Sequence, residues 1–178
     1  MGEINLNIKN VAIFAIIALV VLFAGNYLIN YYQVDRKLET ELTELTVIEG
    51  VEINKEDNYQ LDLTLADVSN LQQSNLKIRE KIEEILGTTD YQLQFSGEES
   101  ASLEQVYDAI NLALYEALET GEFVKFGTQI KEYQQEYNLD RAEVKVDDEY
   151  IYLTLANNDG AIYKVLNRTN NKEGEKNG

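Results

Sequence analysis

Tyr59-Gln60-Leu61-Asp62-Leu63-Thr64-Leu65 decides the fold class. Leucines at every second position, with Gln, Asp and Thr between them, mark a strand that is buried on one face and wet on the other. Upstream, Lys55-Glu56-Asp57-Asn58 reads as a turn, and Leu45, Val47, Val51 and Ile53 place a partner strand at 45–53. Downstream the period changes. Leu71, Ile78, Ile82 and Ile85 recur at helical spacing over 69–86, and Gly87 supplies the stop. Tyr91, Leu93 and Phe95 return to alternation. Ser102 with Gln105 has the form of a capping box. It opens a helix with Leu103, Val106, Tyr107, Ile110, Leu114, Ala117 and Leu118 on one face, closed by Gly121. Phe123, Phe126, Ile130, Tyr133 and Tyr137 then describe another helix.

The last third alternates through 142–146, 149–155 and 161–167. Its turns fall at Asp147-Asp148 and Asn157-Asn158-Asp159-Gly160, residues that accept positive φ at low cost. The expectation is an α+β domain of antiparallel hairpins and three helices over 45–168, divisible into 45–96 and 97–168. Residues 169–178 hold nothing to bury and read as a disordered tail. Val51-Glu52-Ile53 through Leu63-Thr64-Leu65-Ala66 resembles Ala142-Glu143-Val144 through Leu153-Thr154-Leu155-Ala156. Duplication of a helix-plus-hairpin unit explains this, and so does convergence on what hairpins use.

The N-terminal part obeys different chemistry. After a ten-residue tail (1–10), Val11 to Ala24 is unbroken apolar sequence, and Tyr27, Leu28 and Ile29 continue it past Gly25 and Asn26. As a helix, 11–29 is about 28 Å long against a hydrocarbon core of about 30 Å. A single transmembrane anchor is expected at 11–30, carried by Val11, Phe14, Ile17, Val21 and Phe23, with Tyr27, Tyr31 and Tyr32 at the membrane–water interface. A cleaved signal peptide is the competing reading, with Leu22-Phe23-Ala24 before the cut. The tyrosine belt and the apolar continuation favour retention. Residues 31–44 read as a charged helical stalk lifting the domain off the bilayer.

Composition narrows function further. The 178 residues hold 32 Asp plus Glu against 15 Lys plus Arg, a net charge of −17, with no Cys, His, Pro or Trp. That excludes disulfides, lipoprotein acylation, the usual zinc sites, and catalysis through His or Cys. It argues against nucleic acid as a partner, because phosphate recognition needs cations. The acidic domain is repelled by an anionic cytoplasmic leaflet, which favours the extracytoplasmic side of the cell membrane.

The order strand, helix, helix, strand, strand over 91–155 resembles POTRA domains, small modules of outer-membrane assembly proteins and of single-pass division proteins. The residues that carry the likeness are Phe95-Ser96-Gly97 and Tyr137-Asn138-Leu139 leading into Ala142-Glu143-Val144-Lys145-Val146. The likeness covers well under half of the chain and includes no diagnostic motif. It implies protein–protein contacts, often by strand addition, and no catalytic residues.

Three chemistries compete for the polar residues. Ser74-Asn75-Leu76-Lys77 matches S-x-x-K, but no K-T-G or S-D-N accompanies it, and Ser74 sits beside the apolar stripe of its helix. Carboxylates abound and Tyr107, Tyr115, Tyr150 and Tyr152 could face a sugar, yet nothing selects an acid/base pair. The acidic turns offer calcium candidates in Asp147, Asp148, Glu149 and Asp159, without the EF-hand pattern. No cofactor is implied. The favoured function is a membrane-anchored, extracytoplasmic protein–protein interaction or envelope-assembly module without catalytic activity. Its partners would be the lipid bilayer and an envelope protein. The alternatives are a ligand- or calcium-binding sensor and a small extracytoplasmic hydrolase.

Overall fold

The computed structural model describes residues 8–55 and 58–168. Residues 1–7 of the expected N-terminal tail, the expected C-terminal tail and the Glu56-Asp57 part of the first turn lie outside them, as do the side chains of Val11, Tyr27, Tyr31 and Tyr32, while residues 8–10, expected as tail, already belong to the first helix. The fold is α+β, built on two three-stranded sheets.

Helix α1 (Ile8–Thr43) is continuous over 36 residues. Phe14, Ile16, Ile17 and the run Leu19 to Phe23 are exposed, each by half or more. Among the described residues no helix is long and apolar enough to cross a membrane. The side chains described over the apolar stretch are Phe14 and those from Ile16 to Phe23. The C-terminal part of α1 corrects the expected stalk. Leu38 and Leu42, four residues apart on one face, are fully buried, and Val34 packs beside them. Asp35 is ion-paired with Lys55, and Glu41 with Lys81 at 2.5 Å. The helix therefore ends inside the domain core.

Strand β1 (Ile48–Lys55) begins three residues later than 45–53 would have it. Leu45 N donates to Leu42 O at 3.0 Å and Ile48 N to Leu45 O at 2.9 Å, so the turn that closes α1 uses these residues first. Strand β2 (Tyr59–Leu65) pairs antiparallel with β1, setting Leu61, Leu63 and Leu65 beside Ile53, Val51 and Ile48 on the buried face. Helix α2 (Leu71–Leu86) is capped by the Asn70 side chain, which accepts from Gln73 N at 3.2 Å. It ends at Gly87, whose φ of 67° is the left-handed conformation that glycine adopts without a Cβ penalty. The helix is a crossover: β3 (Tyr91–Ser96) pairs parallel with β2. The expectation of antiparallel hairpins alone is corrected here, because 25 residues between two strands leave room to return to the same end of the sheet.

Helix α3 (Ala101–Thr120) is capped by Ser100 rather than Ser102, with Ser100 Oγ accepting from Leu103 N. Helix α4 (Phe123–Glu136) comes after Gly121 and Glu122. Strands β4 (Arg141–Val146), β5 (Tyr150–Asn157) and β6 (Gly160–Asn167) form an antiparallel meander.

Two cores result. Leu38, Leu42, Leu61, Leu63, Ile78 and Ile82 centre the first, between α1, α2 and the β1–β3 sheet. Leu103, Ile110, Leu114, Phe126, Ile151, Leu153 and Leu155 centre the second, between α3, α4 and the meander. The other face of the meander joins the first core through Tyr152 and Tyr163. Tyr163 OH accepts from Val68 N and donates to Ala66 O, both at 3.0 Å. Ala161 N donates to Glu98 O at 2.9 Å, and a Cβ at Gly97 or Gly160 would strike the opposing backbone. The end of β3 and the start of β6 thus run backbone against backbone.

Candidate functional site

Asn75 is a polar residue on the buried face of α2, between Leu71 and Ile78, and only 2% exposed. A buried amide is costly unless its groups are bonded. Its Oδ1 accepts from Arg79 Nε at 3.0 Å, and its Nδ2 donates to Tyr152 OH at 3.4 Å. Tyr152 OH in turn donates to Asp147 Oδ2 at 2.6 Å, an atom that also accepts from Gln72 at 3.3 Å. Asp147 Oδ1 takes the backbone amides of Glu149 and Tyr150 at 2.9 and 2.8 Å. The relay ties α2 to the β4–β5 turn. The Arg79 guanidinium lies 4.6 Å from the Tyr150 ring centre and 5.6 Å from that of Tyr91.

These bonds set the electrostatics. Burial works to raise the Asp147 carboxyl. The hydrogen bonds from Tyr152, from the Tyr150 and Glu149 amides and from Gln72 outweigh it and hold the group below the usual carboxylate range. Burial, with the Asp147 bond and charge, pushes the Tyr152 hydroxyl well up. Burial also pushes Tyr91 up to about 12, against the pull of Arg79. The Asp147–Tyr152 pair is therefore an ionised acceptor and a protonated donor, each committed to the other. With Gln72 and Asn75 it forms a latch between α2 and the β4–β5 turn.

Beside the latch is a cleft of about 650 Å³, lined by Leu76, Arg79, Glu80, Glu83, Asp148 and Tyr150 among others. A second cleft, of about 510 Å³, lies where the two sheets meet. Glu49, Asp67, Glu98 and Asp140 line it, with Arg141 bound to Asp67 at 2.8 Å.

Comparison with known proteins returns no match. No family model fits the sequence, and no curated protein or solved structure is significantly similar to it.

The calcium candidates are not brought together. Asp147 spends both oxygens on the latch, and Asp148 and Glu149 are exposed beside it. Asp159 is in the β5–β6 turn, at the far end of the eight-residue strand β5 and about 26 Å away at roughly 3.3 Å per residue. Among the described residues no group of three or more acidic side chains is placed to hold a metal ion. Ser74 is half-buried and Lys77 exposed, and no hydrogen bond joins them. Of the tyrosines, Tyr107 packs against the second core while Tyr115 is exposed. The segment 91–155 has the element order strand, helix, helix, strand, strand, but β3 is bound to β2 and β6 occupies the place beside β5. Sequence reasoning missed Asn75 and the latch. The available signal was the amide itself, a polar residue interrupting the apolar stripe of α2.

The strand edges differ in their cover. Those of β3 and β6 meet at the Glu98–Ala161 contact. Those of β1 and β4 end their sheets.

Proposed function

We propose that this chain is a membrane-anchored protein–protein interaction module, with its acidic domain outside the cytoplasm and no catalytic role. The observation that carries the reading is the character of α1. Its described N-terminal side chains are apolar and exposed all round, whereas Leu38 and Leu42 near its C-terminus are fully buried. A helix apolar on every side needs either a protein core or a bilayer around it. Residues 11–29 have the length for a bilayer. In this reading one helix serves as anchor and as core element, so the domain is held close to the membrane surface. The open edges of β1 and β4 are the surfaces offered to partners.

The test is a carbonate wash of native membranes combined with protease added to intact cells. The chain is expected to stay in the pellet and its domain to be cut from outside. Release by carbonate, or a domain cut only after lysis, would overturn the reading.

A further inference from the structure

We infer that β4 pairs with the β4 of a second copy of this chain, antiparallel and centred on Val144. The inference rests on the interaction-module reading and names the edge and the partner.

Backbone parity comes first. Asp147 N donates to Tyr150 O at 3.0 Å, so these two residues form a hydrogen-bonded pair at the hairpin end. Such pairs alternate along an antiparallel ladder. With Lys145 opposite Tyr152, Glu143 opposite Thr154 and Arg141 opposite Ala156, those three residues turn their amides toward β5. Ala142, Val144 and Val146 then turn their N–H and C=O groups to the open edge. Among the described residues no hydrogen bond from another element reaches those groups. The other open strand is blunted. β1 has a bulge between Ile48 and Gly50, and its final Lys55 is ion-paired to α1. β4 has an unbroken register.

The side chains choose the partner. With Val144 opposite Val144 of a second copy, Ala142 faces Val146 and Glu143 faces Lys145, in both directions. Every edge-directed residue meets an edge-directed residue, so three pairs exchange about six N–H···O bonds. Both Glu143–Lys145 pairs join opposite charges. Within one chain these two side chains are 3.6 Å apart and partly exposed, so they are available across the edge. Neighbouring registers fail. Centring on Glu143 sets Glu143 on Glu143 and Arg141 on Lys145. Centring on Lys145 sets Lys145 on itself and Glu143 on Asp147. Centring on Ala142 or Val146 leaves fewer of the six residues paired. At −17 the copies repel each other over most of their surface. β4, with Arg141 and Lys145 against Glu143, is a stretch where they do not.

The chain has no cysteine, so introduced thiols report alone. Full-length Glu143→Cys and Lys145→Cys chains are mixed in nonionic detergent and oxidised. The mixed disulfide should dominate both homodisulfides, because facing residues lie about 4.5 Å apart at Cα and diagonal ones about 7–8 Å. Glu143→Lys should weaken the dimer about tenfold or more, and adding Lys145→Glu should restore it. Circular dichroism checks that the variants fold. A statistical mixture of disulfides, or a dimer indifferent to Glu143→Lys, would overturn the inference. If no dimer forms while carbonate and protease behave as expected above, the second copy is wrong and the anchored module stands. If the mixed disulfide forms in a chain that carbonate releases, the reverse holds.

Discussion

The two sheets use nearly the same hairpin and put it to different ends. Leu63-Thr64-Leu65-Ala66 closes β2, and Leu153-Thr154-Leu155-Ala156 lies at the same place in β5. In each, the outer leucines are buried against helices. The threonine between them shows the contrast. Thr154 is 3% exposed, because Tyr152, Tyr163 and the segment after β2 cover that face of the meander. Thr64 is only half-buried, on a face that also presents Glu52, Asp62, Gln92 and Gln94 to solvent. One sheet is sandwiched and the other has a bare polar face. A shared pattern therefore specifies a hairpin and one buried face, while the next segment of chain decides the other face. After β2 the chain leaves through α2 and returns parallel, whereas after β5 it turns directly into β6.

The strongest way to break this comparison is to place a charge at both threonines. Thr154→Lys should cost about 3 kcal/mol or more, since it drives an ammonium into a covered site. Thr64→Lys should cost less than about 1 kcal/mol. Urea unfolding of the full chain in nonionic detergent, tracked by circular dichroism, reads both. Equal losses would mean that the first sheet is covered too.

A smaller effect separates the sheets by pH, because the latch belongs to the meander. Asp147 is held below its ordinary range in the folded chain. Its contribution is present above the unfolded value of about 3.9 and is lost as pH falls through the lower folded value. Asp147→Ala should cost about 1–2 kcal/mol near neutrality and reduce the acid sensitivity of unfolding. At the alkaline end the sign reverses. Tyr91 is raised to about 12 and Tyr152 further, so stability should decline as pH climbs from about 10 through those values. Tyrosinate absorbance against pH reads that decline.

The smallest effect concerns the acidic turns. With Asp147 engaged in the latch and Asp159 at the opposite end of β5, calcium at low millimolar concentration should give no stoichiometric heat. A saturable heat would show that the turns gather ligands on binding.

Much of the fold was legible because burial on one face writes a period into the chain. Leu61, Leu63 and Leu65 gave their strand its bounds, and Gly87 and Gly121 marked helix ends that the structure keeps. Strand partners were not legible. Alternation in Tyr91, Leu93 and Phe95 states that a face is buried and does not name the neighbour. Ser102-x-x-Gln105 misled because the helix opens two residues earlier, where the Ser100 hydroxyl accepts from Leu103 N. Leu38 and Leu42 were hidden among charges, so a core turn read as a stalk. The latch was illegible for a related reason: Asn75, Asp147 and Tyr152 come from distant segments, and only the packing of α2 on the meander joins them.

The claim that α1 runs from the anchor directly into the core is tested most directly by hydrogen exchange on the full chain in lipid nanodiscs. Amides of Val34 to Thr43 should be protected as long as those of β2 and α3, because Leu38 and Leu42 open only when the domain does. Exchange of that segment within seconds, while β2 and α3 stay protected, would mean a free stalk and contradict it.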